Sequence, residues 1–148
     1  MTTPSTIDSG YVIESLVFPI QLLTVAAPGE RGDVQWGWDW RWIASDRFEV
    51  GLLFGAPAVD VRPERLEVAI TATIRVVGES QTVPVYMFAH VHAPALMFPY
   101  LRQVVDELTS RSPHGRVLLP PTNIVALMSE FDASESTGAK QERPKIIS

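Results

Sequence analysis

The chain of 148 residues is 46% hydrophobic and 20% charged, a globular balance that fits a single domain over residues 1–148 with a core needing neither disulfides nor a structural metal. It has no cysteine, which excludes thiol catalysis and thiolate zinc sites, and its net charge of −5 without any run of Lys or Arg argues against nucleic acid as a partner. The first basic residue is Arg31, behind Asp8 and Glu14, so the start does not read as a signal peptide.

Small polar residues at about 1–9, and Gly138, Pro144 and mixed charges at 133–148, predict mobile tails. Within 11–26, Leu16, Phe18, Ile20 and Leu22 fall two apart, the period of a half-buried strand. Pro19 has no donor to give and makes it an edge strand or a bulged one. Phe48, Val50, Leu52 and Phe54 form a shorter strand. The clearest strand is 66–76, with Leu66, Val68, Ile70, Ala72, Ile74 and Val76 on one face and Glu67, Thr71, Thr73 and Arg75 on the other. Gly78, Glu79 and Ser80 predict a tight turn into a strand over 81–92. Four strands joined by short connections imply an antiparallel meander. Residues 83–101 carry no formal charge, but Pro84, Pro94, Pro99, His90 and His92 make them a strand, turn and helix start and not a membrane span.

From Pro99 the period changes. Leu101, Val104, Val105 and Leu108 share a helical stripe, and that helix should stop before Pro113 and Gly115. A second helix is predicted from Pro121, with Ile124, Leu127, Met128 and Phe131 on one face. Strands followed by helices give an α+β fold: a four-stranded antiparallel meander with two C-terminal helices packed on one face.

Groups that carry chemistry are sparse. His90 and His92, two apart on a strand, would point the same way and form half of a metal site, but no third ligand is placed to join them; His114 lies in a turn with no useful spacing to an acid. The bland alternative is two strand histidines, and a metal-dependent enzyme through this pair ranks as a distant alternative. Asp106 and Glu107 diverge by about 100° on a helix and do not make an acid/base pair. Gly29 and Gly32 lack the context of a phosphate loop. No metal, cofactor or enzymatic activity is expected.

The unusual feature is Trp36-Gly37-Trp38-Asp39-Trp40-Arg41-Trp42. In extended backbone all four indoles line one side. Each buried Trp hides about 150–250 Å², so the set represents roughly 600–1,000 Å², more than a monomer leaves exposed in one patch. The domain's own core, a second subunit or a bound polypeptide must cover it. A carbohydrate platform is a weaker alternative.

The helical half resembles the SecB-type export chaperones. Leu96-Met97-Phe98-Pro99-Tyr100-Leu101-Arg102 looks like that family's L-F-P-Y-A-R element, and Leu118-Leu119-Pro120-Pro121-Thr122-Asn123-Ile124-Val125-Ala126-Leu127-Met128 is similar to its L-x-L-x-P-x-N-F-x-A-L-F element. The resemblance implies a cytoplasmic, ATP-independent holdase assembled as a dimer of dimers around its helices, wrapping unfolded chains in an apolar groove. Carried onto this sequence, it puts Trp36, Trp38, Trp40, Trp42, Leu127, Met128 and Phe131 at the client groove. It puts Tyr100, Leu101, Val104, Val105 and Leu108 at the subunit interface. The acidic residues by which the family docks the SecA motor are matched here by Ala26, Tyr86 and Phe88, which makes SecA docking doubtful, and Leu101 replaces the family's usual Ala. A SecB-like chaperone dedicated to one partner, such as the antitoxin of a toxin-antitoxin system or a phage client, is the alternative.

Overall fold

A computed structural model of the protein describes residues 10–27, 32–59, 62–78, 83–119 and 122–131. The tails expected at 1–9 and 133–148 lie outside the described residues. Four strands form, β1 (Tyr11–Val25), β2 (Gln35–Ala44), β3 (Arg47–Ala56) and β4 (Glu64–Val76), all paired antiparallel in the order β1-β4-β3-β2. The α+β class and the four-stranded sheet agree with the sequence. The order does not make a full meander. Only β2, β3 and β4 follow one another across the sheet, while β1 lies beside β4, which is a Greek-key order.

The membership of the sheet differs too. The tryptophan segment is the missing strand, β2, turned tightly at Ser45 and Asp46 into β3. The strand expected over 81–92 is absent where it is described: Val85–Met87 (α1), a π-helical turn Phe88–His92 and Ala93–Thr109 (α2) run on as one continuous helix. Pro99 therefore stands inside α2, not in its first turn. The last helix, α3 (Ile124–Met128), is short, and Asn123 caps it by accepting a hydrogen bond from Ala126 N at 3.1 Å.

Period-two burial explains the sheet. Phe48, Val50, Leu52 and Phe54 of β3 and Leu66, Val68, Ile70, Ala72 and Ile74 of β4 are buried on the face that the helices cover. Against them the helical run buries Phe88, Ala89, Ala93, Met97, Leu101 and Val105. The buried pairs Phe88 and Ala89, Ala93 and Pro94, and Met97 and Phe98 step by five residues across the π turn and by four after it. Register shifts in β1 after Ile13 and Val17 mark bulges, the second of them next to Pro19, as an edge strand with a proline requires. The first lets Glu14 reach both Arg47 Nε (3.1 Å) and Arg75 Nε (2.8 Å) on the uncovered face, and the hydrogen bond from Arg47 to Glu14, helped by Asp46, raises the pKa of Arg47.

Candidate functional site

Pairing with β3 sets Trp36, Trp38, Trp40 and Trp42 opposite Phe54, Leu52, Val50 and Phe48. Directly opposed residues project to the same side of a sheet, so all four indoles face the helices, as the alternation predicts. Their burial is unequal. Trp40 is 4% exposed, edge-on to Phe48 (5.8 Å) and Trp42 (6.2 Å); it is a core residue with no surface to offer a ligand. Trp36, Trp38 and Trp42 are half-buried. Trp36 leans on Phe54 at 4.8 Å and Phe98 at 6.0 Å. Because β2 is the sheet's outer strand, Trp36 and Trp38 lie beside a backbone edge that no other strand of the described chain pairs.

Trp38 is held by the π turn, and the donor that Pro94 lacks explains why that turn is there. Ala93 N–H bonds to Phe88 O, five residues back. The next residue, Pro94, has no N–H, and its ring would crowd the carbonyl four residues before it, His90 O, in a regular α-turn. Widening the turn relieves that crowding but leaves Ala89 O without a helical donor. The Trp38 indole supplies one, Nε1 donating to Ala89 O at 2.9 Å. Pro99 removes a further donor on the exposed side of α2, where water can replace it.

The same turn places His90 against Trp38, ring centroids 4.9 Å apart, and brings His90 Nε2 within 2.8 Å of Phe131 O. The Phe131 ring lies 6.2 Å from Trp38. His92 stacks on Phe88 at 5.8 Å instead. The two histidines do not point the same way as they would on a strand, since two helical steps separate side chains by about 200°. Among the described residues no group of three or more His, Cys, Asp or Glu is placed to hold a metal ion.

On α3, Ile124 and Met128 are buried and Leu127 and Phe131 half-buried, so the predicted face is the packed face. Met128, at 0% exposure, anchors α3 in the core and cannot touch a ligand in this form, whereas Leu127 and Phe131 extend the aromatic surface of Trp36 and Trp38. On α2, Leu101 and Val105 are fully buried within one subunit, which removes them from any interface; Val104 and Leu108 are half-buried and Tyr100 is 49% exposed. Of the five residues that the sequence assigned to an interface, Leu101 and Val105 are core, while Tyr100, Val104 and Leu108 keep exposed surface. The outward stripe carries Leu96, 50% exposed, and Tyr100, which with Ile13 and Leu16 of β1 line an open hollow of about 610 Å³. Tyr86 and Phe88, set against the acidic fourth-strand positions of the SecB-type chaperones, lie on the helical run; the strand that is fourth in the chain carries Glu64 and Glu67. Sequence reasoning also missed the contacts of His90 with Trp38 and Phe131 and the role of the Ala89 carbonyl, and the only signal for either was Pro94.

Comparison with known proteins gives the following. The family model described as preprotein translocase subunit SecB matches residues 38–135. An uncharacterized protein of Methanocaldococcus jannaschii is 30% identical over 81 residues, which are 54% of this chain and 52% of that one; the chain thus matches about half the length of this relative. Among solved structures, the SecB-like chaperone Rv1957 of Mycobacterium tuberculosis, in complex with a ChAD peptide from the HigA1 antitoxin, superposes with a TM-score of 0.62 at 15% identity, covering 79% of this chain and 91% of that one. A Streptococcus agalactiae protein of unknown function gives 0.53 at 10% identity, covering 75% and 97%. At these identities the two structures share a fold with this chain.

Proposed function

From the premise that this chain belongs to the SecB family, a family of chaperones, we propose that it is an ATP-independent holdase for unfolded or preprotein chains in the cytoplasm, with no enzymatic step and no cofactor. The observation that carries the proposal is the partly exposed apolar surface of Trp36, Trp38 and Phe131, with Leu127 of α3, near the unpaired edge of β2. Apolar surface gives affinity without sequence preference. A strand edge adds main-chain hydrogen bonds that any extended client can make. Self-assembly into a dimer of dimers is part of the same reading. Its contact surface is Leu96, Tyr100 and the exposed parts of Val104 and Leu108, beside the hollow against β1.

The purified protein should suppress aggregation of a chemically unfolded substrate without nucleotide, and Trp36→Ser with Trp38→Ser should weaken that while far-UV circular dichroism is retained. Suppression that survives the double substitution in a folded protein refutes the assignment of the groove. A second reading, one dedicated client, is favoured by the M. tuberculosis neighbour, whose structure holds an antitoxin peptide. On that reading, capture is confined to a single co-expressed partner and generic unfolded chains are ignored.

A further inference from the structure

The surface proposed for clients is already occupied by the chain itself. Trp38 meets the π turn through its bond to Ala89 O and the His90 ring, and it also meets the Phe131 ring, 6.2 Å away. Phe131 stands after the end of α3, where its N–H still bonds to Met128 O at 3.1 Å, and its own carbonyl accepts from His90 Nε2 at 2.8 Å. That bond spans 41 residues of sequence and ties the exit of α3 to the turn that holds Trp38. A half-buried aromatic ring tilted against another, with its backbone fastened by a side chain of the π turn, stands where an apolar client side chain would stand.

We propose that Phe131 is an intramolecular plug and His90 its latch: in the client-free protein they keep the Trp38 surface covered, and a client binds by displacing the Phe131 ring. This rests on the reading of Trp36 and Trp38 as the client groove. It reverses one expectation of that reading, because Phe131 becomes a competitor of the client and not a wall that grips it. A plug lowers apparent affinity by the fraction of molecules in which it is closed. Releasing the latch removes one hydrogen bond from the closed state only, so capture should tighten about two- to tenfold.

Two variants act on separate parts. His90→Phe keeps a ring against Trp38 but removes the donor to Phe131 O, while Phe131→Ala removes the ring and keeps the carbonyl. In the client-free protein, acrylamide quenching of tryptophan fluorescence should rise in Phe131→Ala, with thermal unfolding still cooperative. Binding is read by fluorescence anisotropy with labelled, reduced and carboxymethylated lactalbumin as the unfolded probe. Both variants should bind it about two- to tenfold tighter than the parent protein, and His90→Gln, which restores an N–H donor, should move back toward the parent value. Weaker or unchanged binding in both overturns the proposal, as does unchanged quenching in Phe131→Ala. If the parent protein does not bind the probe at all, the general-holdase reading fails by itself, and the quenching comparison still decides whether Phe131 covers Trp38.

Discussion

Replacing Trp38 with Phe tests the link between the tryptophan strand and the helical run. The substitution keeps an aromatic ring on the same face and removes the N–H that meets Ala89 O at 2.9 Å. Ala89 is 0% exposed, so its carbonyl cannot turn to water once the indole nitrogen is gone, and the neighbouring Pro94 has no donor to replace it. A buried acceptor left unsatisfied costs about 1–3 kcal/mol. Trp36→Phe is the control: it is half-buried on the same strand, loses the same part of its ring, and has no hydrogen bond from its indole nitrogen among the described residues. The difference between the two variants should therefore be about 1–3 kcal/mol, read from urea unfolding followed by far-UV circular dichroism at one protein concentration. For a chain of this size each kcal/mol moves the melting temperature by about 2–4 °C. Pro94→Ala sharpens the test. With a donor restored to the turn, the extra cost of Trp38→Phe should shrink, giving a coupling energy in a double-mutant cycle. Equal destabilisation by Trp36→Phe and Trp38→Phe, or additivity with Pro94→Ala, would refute the account of the π turn.

Two further outcomes follow from burial. Met128→Ala should cost about 2–5 kcal/mol by emptying a fully buried site under α3, and client capture should fall only in step with loss of circular dichroism, because the side chain is not at the surface. Leu96→Asp combined with Tyr100→Asp should lower the mass measured by sedimentation while the secondary structure remains; an unchanged mass would move the subunit contact away from the outer stripe of α2.

The strands were legible where one face is apolar and the other polar, since that contrast is a direct image of a sheet with helices on one side only. It gave β1, β3 and β4 nearly to the residue and placed the four indoles together. It could not rank them: Trp36 and Trp40 are chemically identical, and only the position of the helical run above the sheet makes one half-buried and the other core. The reading failed at 83–92 for a definite reason. Val83, Val85, Met87, Ala89 and Val91 alternate with other residues as a strand would, and prolines on both sides look like strand boundaries. The chain instead buries the pair Phe88 and Ala89 and then the pair Ala93 and Pro94 five residues on, a step that fits neither period two nor a regular α-helix. A π turn erases the periodic signature locally because it inserts one residue into the helical stripe. The same insertion rotates His90 toward Trp38 and Phe131, so the residue that ties α3 to the groove stood within the one stretch whose backbone no simple period could describe. Of the interface stripe, Leu101 and Val105 failed by the opposite route. Both are correctly helical and correctly apolar, yet a helix with two apolar stripes gives no sign in its sequence of which stripe the sheet will take; the other, Leu96 and Tyr100, stays exposed beside Ile13 and Leu16 of β1.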